Sequence, residues 1–346
     1  MTSIGIIGCG YWGPNLVRNF HGLPKARVQT VSDLRPGRLE LIQENYPDIE
    51  TTEDYRTILD DERIDAVVVV TPVTTHREIA EHALQAGKHV FIEKPMAHTA
   101  ADAWSLVDLA RTVGKVLAVG HIFQYAPGVR RIAREIEAGR LGGIHHITAT
   151  RINPGPPKST VDVIWDLAAH DLSILLHLLG EMPDSIVATG SSYQTGGLID
   201  NAHVSLGFPS GAPAHVHVSW LSSNKTRLVQ IFGDNATIVY DEMLALDGKV
   251  KMHDRGNDNR VNASDTEAVH LGYSAGDIHI LQLEQHEPLR LECAEFVRAI
   301  TTGSALSNDG VMGARVVELL ERISAQIRIG GTTPGSTAGV VASGVA

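Results

Sequence analysis

Two places in this 346-residue sequence carry residue types at spacings that suit reaction chemistry. In the run WDLAAHD, Asp166 and His170 stand four residues apart, so on a helix they share one face. Two ionisable groups projecting together from a largely apolar segment need either partners or a cleft. Asp171 fixes the helix or its neighbours. Lys94 ends the apolar run Val90–Glu93. Ligands of parallel sheets bind at the carboxyl ends of strands, and a lysine partly desolvated there has a depressed pKa and exchanges a proton near neutral pH.

A third motif points to a cofactor. Gly8-Cys9-Gly10-Tyr11-Trp12-Gly13 fits G-x-G-x-x-G, follows the first apolar run and opens a helical segment. Gly8 permits the tight turn, Gly10 lets backbone approach a pyrophosphate, and Gly13 lets helix pack on strand. The helix N-terminus then offers unpaired N–H groups to phosphate charge. Asp33 lies 20 residues past Gly13, where a carboxylate accepts from the adenine-side ribose hydroxyls and repels a 2′-phosphate. NAD is favoured over NADP, although Arg35 and Arg38 follow and offer compensating charge.

The elements that must position these residues are legible in the apolar pattern. Ile4–Gly8, Val28–Ser32, Ala66–Thr71, Val90–Glu93 and Val116–Gly120 are apolar on both faces, as strands of a parallel sheet are. Helical spacing fills the intervals, and Pro14 and Pro36 stand near helix starts. The alternation predicts a doubly wound α/β Rossmann domain over residues 1–122. A second, α+β domain over 123–329 is predicted to hold an open, mostly antiparallel sheet. Its strands are Ile144–Asn153, Ser185–Ser192, Ala202–Phe208, Ala214–Leu221, Leu228–Phe232 and Thr237–Tyr240, and its helices run from about Val163 to Leu179, Leu289–Thr301 and Asp309–Ile329. Residues 247–277 read as a polar excursion, and 330–346 as a disordered, low-complexity tail.

Composition bounds the partners. The net charge is −11, from 29 basic and 40 acidic residues, which argues against a nucleic-acid binder because phosphate neutralisation supplies most of that affinity. Residues 123–160 nevertheless hold 6 basic and 2 acidic residues: Arg130, Arg131, Arg134, Arg140, Arg151 and Lys158 against Glu135 and Glu137. Arg151 and Lys158 lead into the Asp166–His170 helix and are the candidates to meet substrate. Tyr125, at the start of the second domain, is placed to stack on or hydrogen-bond a substrate, and Asn224–Arg227 is a further contact. Cys9 and Cys293 make no disulfide framework, no secretory signal opens the chain, and no apolar run approaches the roughly 20 residues of a membrane span, so the expected setting is cytoplasmic. His215 and His217 alternate on one strand with His203 nearby, but without cysteine or carboxylate company they predict no metal site.

The stretch TPVTTHREIAEHALQAGKHVFIEKP, residues 71–95, resembles the Gfo/Idh/MocA oxidoreductase family, as do GYWGPNLVRNF, WDLAAHDLSILLHLLG and PLRLEC. These last three resemble its branch acting on nucleotide sugars and aminosugars. The resemblance implies that Thr71 and Pro72 line the nicotinamide side of the cleft with His76 nearby. It implies further that Glu93 meets the nicotinamide ribose, that Lys94 reaches the reacting hydroxyl, with Pro95 after a cis peptide, and that Asp166 and His170 face it, His170 as the candidate acid/base and Asp166 binding substrate or tuning it. It also implies a dimer or tetramer through the outer face of the second sheet. The expected function is NAD-dependent hydride transfer at a ring secondary alcohol, C3 of a nucleotide sugar or an aminosugar. The rivals are a glycosidase of the same fold using bound NAD, and a non-catalytic sugar or cofactor sensor.

Overall fold

A computed structural model describes residues 1–154, 161–193, 197–255 and 275–329. Lys158, most of the 247–277 excursion and the 330–346 tail lie outside the described residues. The first sheet has six parallel strands: β1 (Thr2–Ile7), β2 (Ala26–Ser32), β3 (Glu50–Thr52), β4 (Ala66–Val69), β5 (His89–Glu93) and β6 (Leu117–Gly120). Their order is β3-β2-β1-β4-β5-β6, so the connection reverses between β1 and β4 and leaves a crevice at that switch point. Val67, Val68 and Val69 are fully enclosed, as strands covered on both faces require. The short edge strand β3 and the five-residue helix Arg56–Asp60 carry too few residues to show a period, and the sequence pattern does not reveal them.

The second sheet has nine strands. They are β7 (Ile144–Ile152), β8 (Ser185–Ser191), β9 (Asn201–Gly207), β10 (Pro213–Ser219), β11 (Thr226–Gly233), β12 (Ala236–Asp241), β13 (Val250–Arg255), β14 (Ala275–Ile280) and β15 (Arg328–Ile329). The order is β14-β13-β12-β11-β7-β10-β9-β8-β15. Only β10·β7 and β15·β8 run parallel. The ends of the supposed excursion are therefore strands: β13 pairs with β12, and β14 pairs with β13. Their alternation was masked by Lys, His and Asp on the open face. One face of the sheet is buried through Ala214, Val216 and Val218, while His215 and His217 point away.

Helices α1 (Gly13–His21), α2 (Pro36–Asn45), α3 (Arg56–Asp60), α4 (Val73–Gln85) and α5 (Ala100–Thr112) belong to the first sheet, and α6 (Pro127–Glu137) and α7 (Ala169–Leu179) cover the second. The last two, α8 (Pro288–Thr302) and α9 (Gly310–Gln326), return to the first sheet. Leu289, Cys293, Phe296 and Val297 of α8 join the core of Ile4, Ile6 and Phe20, with the Phe296 ring 5.6 Å from Phe91 and edge-on to it. In α9, Ala314 and Val317 pack on Leu117 and Val119, while Val316, Leu319, Leu320 and Ile323 enter the core of the second sheet. A linear cut after residue 122 does not describe this arrangement, because the C-terminal helices serve both cores. No helix of the described residues is long and apolar enough to cross a membrane.

Candidate active site

A cleft of about 1460 Å³ runs along the carboxyl ends of β1, β2, β4, β5 and β6 and on to the buried face of the second sheet. At its first end is the glycine loop. Gly8 has φ +97°, and a Cβ there would stand 2.7 Å from the Val70 carbonyl oxygen, so only glycine fits. A Cβ on Gly13 would lie 2.7 Å from the Gly8 carbonyl oxygen, which shows how closely α1 starts against the loop. The first turn of α1 holds no acidic residue, so its N–H groups are open to an anion. Gly10, Tyr11 and Trp12 line the cleft, and Tyr11 is almost fully exposed to it.

Asp33 ends this half. Its Oδ2 accepts from the Cys9 N–H at 2.7 Å, and its Oδ1 accepts from Arg35 Nε at 2.9 Å. Burial works against its charge, but Arg35 and the Cys9 N–H hold the carboxyl below its ordinary range. Arg35 lines the cleft and Arg38 does not, so of the two arginines the nearer one occupies the place assigned to Arg38. An ionised carboxylate beside a glycine loop and an open helix N-terminus suits a dinucleotide with a bare 2′-hydroxyl, and the residues present fit NAD.

Thr71 and Pro72 line the middle of the cleft. His76 does not: it is enclosed, with Nδ1 2.9 Å from the Pro95 carbonyl oxygen and Nε2 2.8 Å from that of Thr71. Its place is behind the wall, tying the end of β4 to the turn after β5. That turn contains the cis Lys94–Pro95 bond.

Glu93 lies at the cleft floor beside Gly120. Burial drives its carboxyl up to about 7, against the opposing pull of Lys94 and a hydrogen bond from Trp12. The cost appears in stability. An acid whose pKa is raised by folding favours the native state most below its unfolded value, near 4.5, and that advantage is lost as pH rises through about 7. Glu93→Gln should therefore exceed the wild type in unfolding free energy at pH 8 by on the order of 3 kcal/mol, with the difference fading toward pH 4.5. Urea denaturation across that range checks it, and a pH-independent difference would refute the buried-carboxylate account.

Lys94 follows Glu93 into the cleft. Its Nζ donates to the backbone carbonyl oxygen of Asp166 at 2.9 Å and stands 3.8 Å from the Asp166 carboxylate. The two side chains are only 18% and 16% exposed, so they meet in a largely dry place. Asp166 belongs to a π-helical turn, Ile164–Ala168, which precedes α7, and Asp162 Oδ1 accepts the N–H groups of Ile164 and Trp165 to start it. The wider turn departs from the plain α-helical i, i+4 relation read from sequence, and π-turns recur at functional sites.

His170 lines the same cleft, its ring edge-on to Phe123 with centroids 4.8 Å apart. Nδ1 is enclosed without a hydrogen-bond partner among the described residues, which leaves Nε2 as the nitrogen toward the cleft. Burial, and then the nearby Lys94 and Arg151 charges, hold the imidazole well below its ordinary pKa. It is neutral at pH 7.

Two expected substrate contacts are corrected. Tyr125 is buried, and its hydroxyl donates to Asn308 Oδ1 at 2.6 Å, so it does not face the cleft. Arg151 does line the cleft, but it is only 2% exposed and forks onto Asp171 through Nε and Nη2 at 3.0 and 3.1 Å. Its guanidinium also lies 4.3 Å over the Phe123 ring. Three more arginines of the basic island are paired: Arg131 and Arg140 with Glu135, and Arg134 with Glu284. The cations that sequence reading underweighted are Arg227, paired with Glu242 at 2.9 Å, and Lys249, whose Nζ donates to the Glu242 carbonyl oxygen at 2.9 Å. Both line the cleft. Among the described residues no group of three metal-ligating side chains converges.

The "Oxidoreductase family, NAD-binding Rossmann fold" model matches residues 2–121, and the "GFO/IDH/MocA C-terminal domain" model matches 129–239. The chain belongs to the Gfo/Idh/MocA family. It is an NAD-binding oxidoreductase of the kind that acts on CH–OH groups. Among its relatives, UDP-N-acetylglucosamine 3-dehydrogenase of Acidithiobacillus ferrooxidans is 30% identical over 73% of this chain and 76% of that protein. Myo-inositol 2-dehydrogenase of Thermotoga maritima is 26% identical over 69% and 75%. The solved structure of the A. ferrooxidans enzyme superposes with a TM-score of 0.80, at 25% identity, over 94% of this chain and 97% of that one.

Proposed function

We propose that this Gfo/Idh/MocA member moves hydride between NAD and a ring secondary alcohol, C3 of a sugar that carries a nucleotide or an amino group. The convergence of Lys94, Asp166 and His170 at the carboxyl end of the sheet carries this reading. When bound, NAD supplies the hydride acceptor. Glu93 and the Thr71–Pro72 segment orient the nicotinamide half, while the glycine loop and Asp33 hold the adenine half. Lys94 Nζ and His170 Nε2 take or return the hydroxyl proton. The Asp166 carboxylate stands 3.8 Å from Lys94 Nζ and helps to place it, and the depressed pKa of His170 keeps it a neutral acceptor.

The charge distribution favours the nucleotide sugar over a cationic aminoglycoside. Beyond the reacting centre the wall presents Arg227 and Lys249 against the single carboxylate Glu242, and the charge of Arg151 is met by buried Asp171. A surplus cation there suits a phosphate or carboxylate. The outer face of the nine-stranded sheet, with His203, His215, His217 and Thr148 in register across β9, β10 and β7, is the surface we assign to self-association.

NADH fluorescence during turnover with nucleotide sugars, free sugars and aminoglycosides tests the reading. Net NADH is expected with nucleotide sugars, and Arg227→Ala should raise KM for them about tenfold, the loss of one charged hydrogen bond. Turnover of aminoglycosides alone would overturn the anionic assignment. A product formed with no net NADH would favour the glycosidase.

A further inference from the structure

Behind His170 lies a set of polar side chains that the proposed proton transfer does not use. His121 follows β6, beside Lys94 after β5, since Glu93 and Gly120 are register partners. It is 1% exposed, and neither ring nitrogen has a hydrogen-bond partner among the described residues. Gln124 is equally buried, and its Oε1 and Nε2 are unpartnered too. The turn Ile122–Tyr125 that carries Gln124 packs against α7, the helix that carries His170. His170 Nδ1 is enclosed and unsatisfied as well, which makes five such atoms on these three residues. Five such atoms cannot be left dry without a cost of about 1–3 kcal/mol each. A buried water with two to four polar neighbours removes that cost.

We propose that His121 and Gln124 frame an internal water site that supplies the missing partner of His170 Nδ1, and thereby fixes which tautomer faces the cleft. The inference rests on the reading of His170 as an acceptor for the substrate proton. Water accepting from Nδ1–H leaves the lone pair on Nε2, the form a neutral acceptor needs. The groups that weigh most on His170 are Lys94, Arg151, His121 and Arg227, while the nearby carboxylates Asp166 and Asp171 face Lys94 and Arg151. The three cations among them disfavour a protonated imidazole. His121, driven to about 3 by burial and by Lys94, is neutral as well, so it can both donate to and accept from water. His121 and Gln124 are positioning residues: neither lines the cleft.

The test is the histidine tautomer, read by nitrogen-15 long-range NMR on the full-length protein with NAD bound. His170→Gln assigns the His170 signal by its disappearance. The wild type is expected to show His170 as the Nδ1–H tautomer at pH 7.5. His121→Phe and Gln124→Leu should convert the signal to a tautomer mixture, while His121→Gln, which keeps a polar partner, retains it. kcat should fall about tenfold in the first two variants with KM little changed, and recover in His121→Gln. An unaltered His170 tautomer in both His121→Phe and Gln124→Leu would overturn the proposal, as would an Nε2–H wild type. If His121→Phe fails to fold, Gln124→Leu carries the same readout. A tautomer change accompanied by full activity of His170→Gln would leave this water site standing and remove the catalytic role of His170 instead.

Discussion

Lys94→Met should lower kcat by about 10²–10⁴-fold while leaving the affinity for NAD unchanged. The reason is positional. Lys94 follows the last residue of β5, so its backbone is fixed by the sheet, and the Asp166 carbonyl holds Nζ at 2.9 Å across the cleft. Methionine keeps the length and apolar stem but offers neither a proton nor a hydrogen bond to the reacting oxygen. The residues proposed to hold the cofactor, the glycine loop, Asp33 and Glu93, line other parts of the cleft and are left in place by the change. Stopped-flow hydride transfer together with isothermal titration of NAD separates the two effects. Wild-type turnover in this variant would remove Lys94 from the chemistry.

The second large effect falls on stability. Arg151→Met, with Asp171 left in place, should cost about 3–5 kcal/mol, because a buried carboxylate loses the cation that is hydrogen-bonded to it. The pair is enclosed on both sides, at 3% and 1% side-chain exposure. Burial already pushes the Asp171 carboxyl upward, so without Arg151 it takes a proton rather than stay ionised. Adding Asp171→Leu to Arg151→Met should restore most of the loss, since an apolar pair of similar size avoids the penalty altogether. Chemical denaturation of the two single variants and the double variant makes a complete cycle. Additive losses would show that the two residues do not act as a pair. A change in substrate KM with stability intact would return Arg151 to the role of a substrate contact.

The parts of the site that were legible from sequence are those encoded in short stretches. A glycine loop between strand and helix announces itself because backbone geometry demands glycine at fixed places. Lys94 does so because its strand ends there. Asp166 and His170 were visible as a spacing, though not the π-turn that sets their angle. Phe123, Glu242 and Lys249 were not legible. Phe123 matters only because His170 and two guanidinium groups from distant strands close on its ring, and nothing local records that meeting. Tyr125 misled for the same reason, since its partner Asn308 is far away in the chain. The basic island was a fact of linear charge density, and folding pairs four of its arginines with Glu135, Glu284 and Asp171. The fold shows the same limit. The strand–helix alternation was plain, but the return of α8 to the first sheet rests on Phe296 meeting Phe20 and Phe91, a contact no period can show.

Helix α9 is a beam bolted at both sides. One row of its side chains is sunk beneath the first sheet and the other beneath the second. At about 1.5–3 kcal/mol for each large apolar side chain withdrawn from water, freeing the four that enter the second core would cost about 6–12 kcal/mol, comparable to the whole stability of a typical domain. Opening the two sheets like a book along this helix is therefore disfavoured. The rim, where Tyr11 and the Glu242–Lys249 turn line the cleft, is then the expected way in for a cofactor and a small substrate.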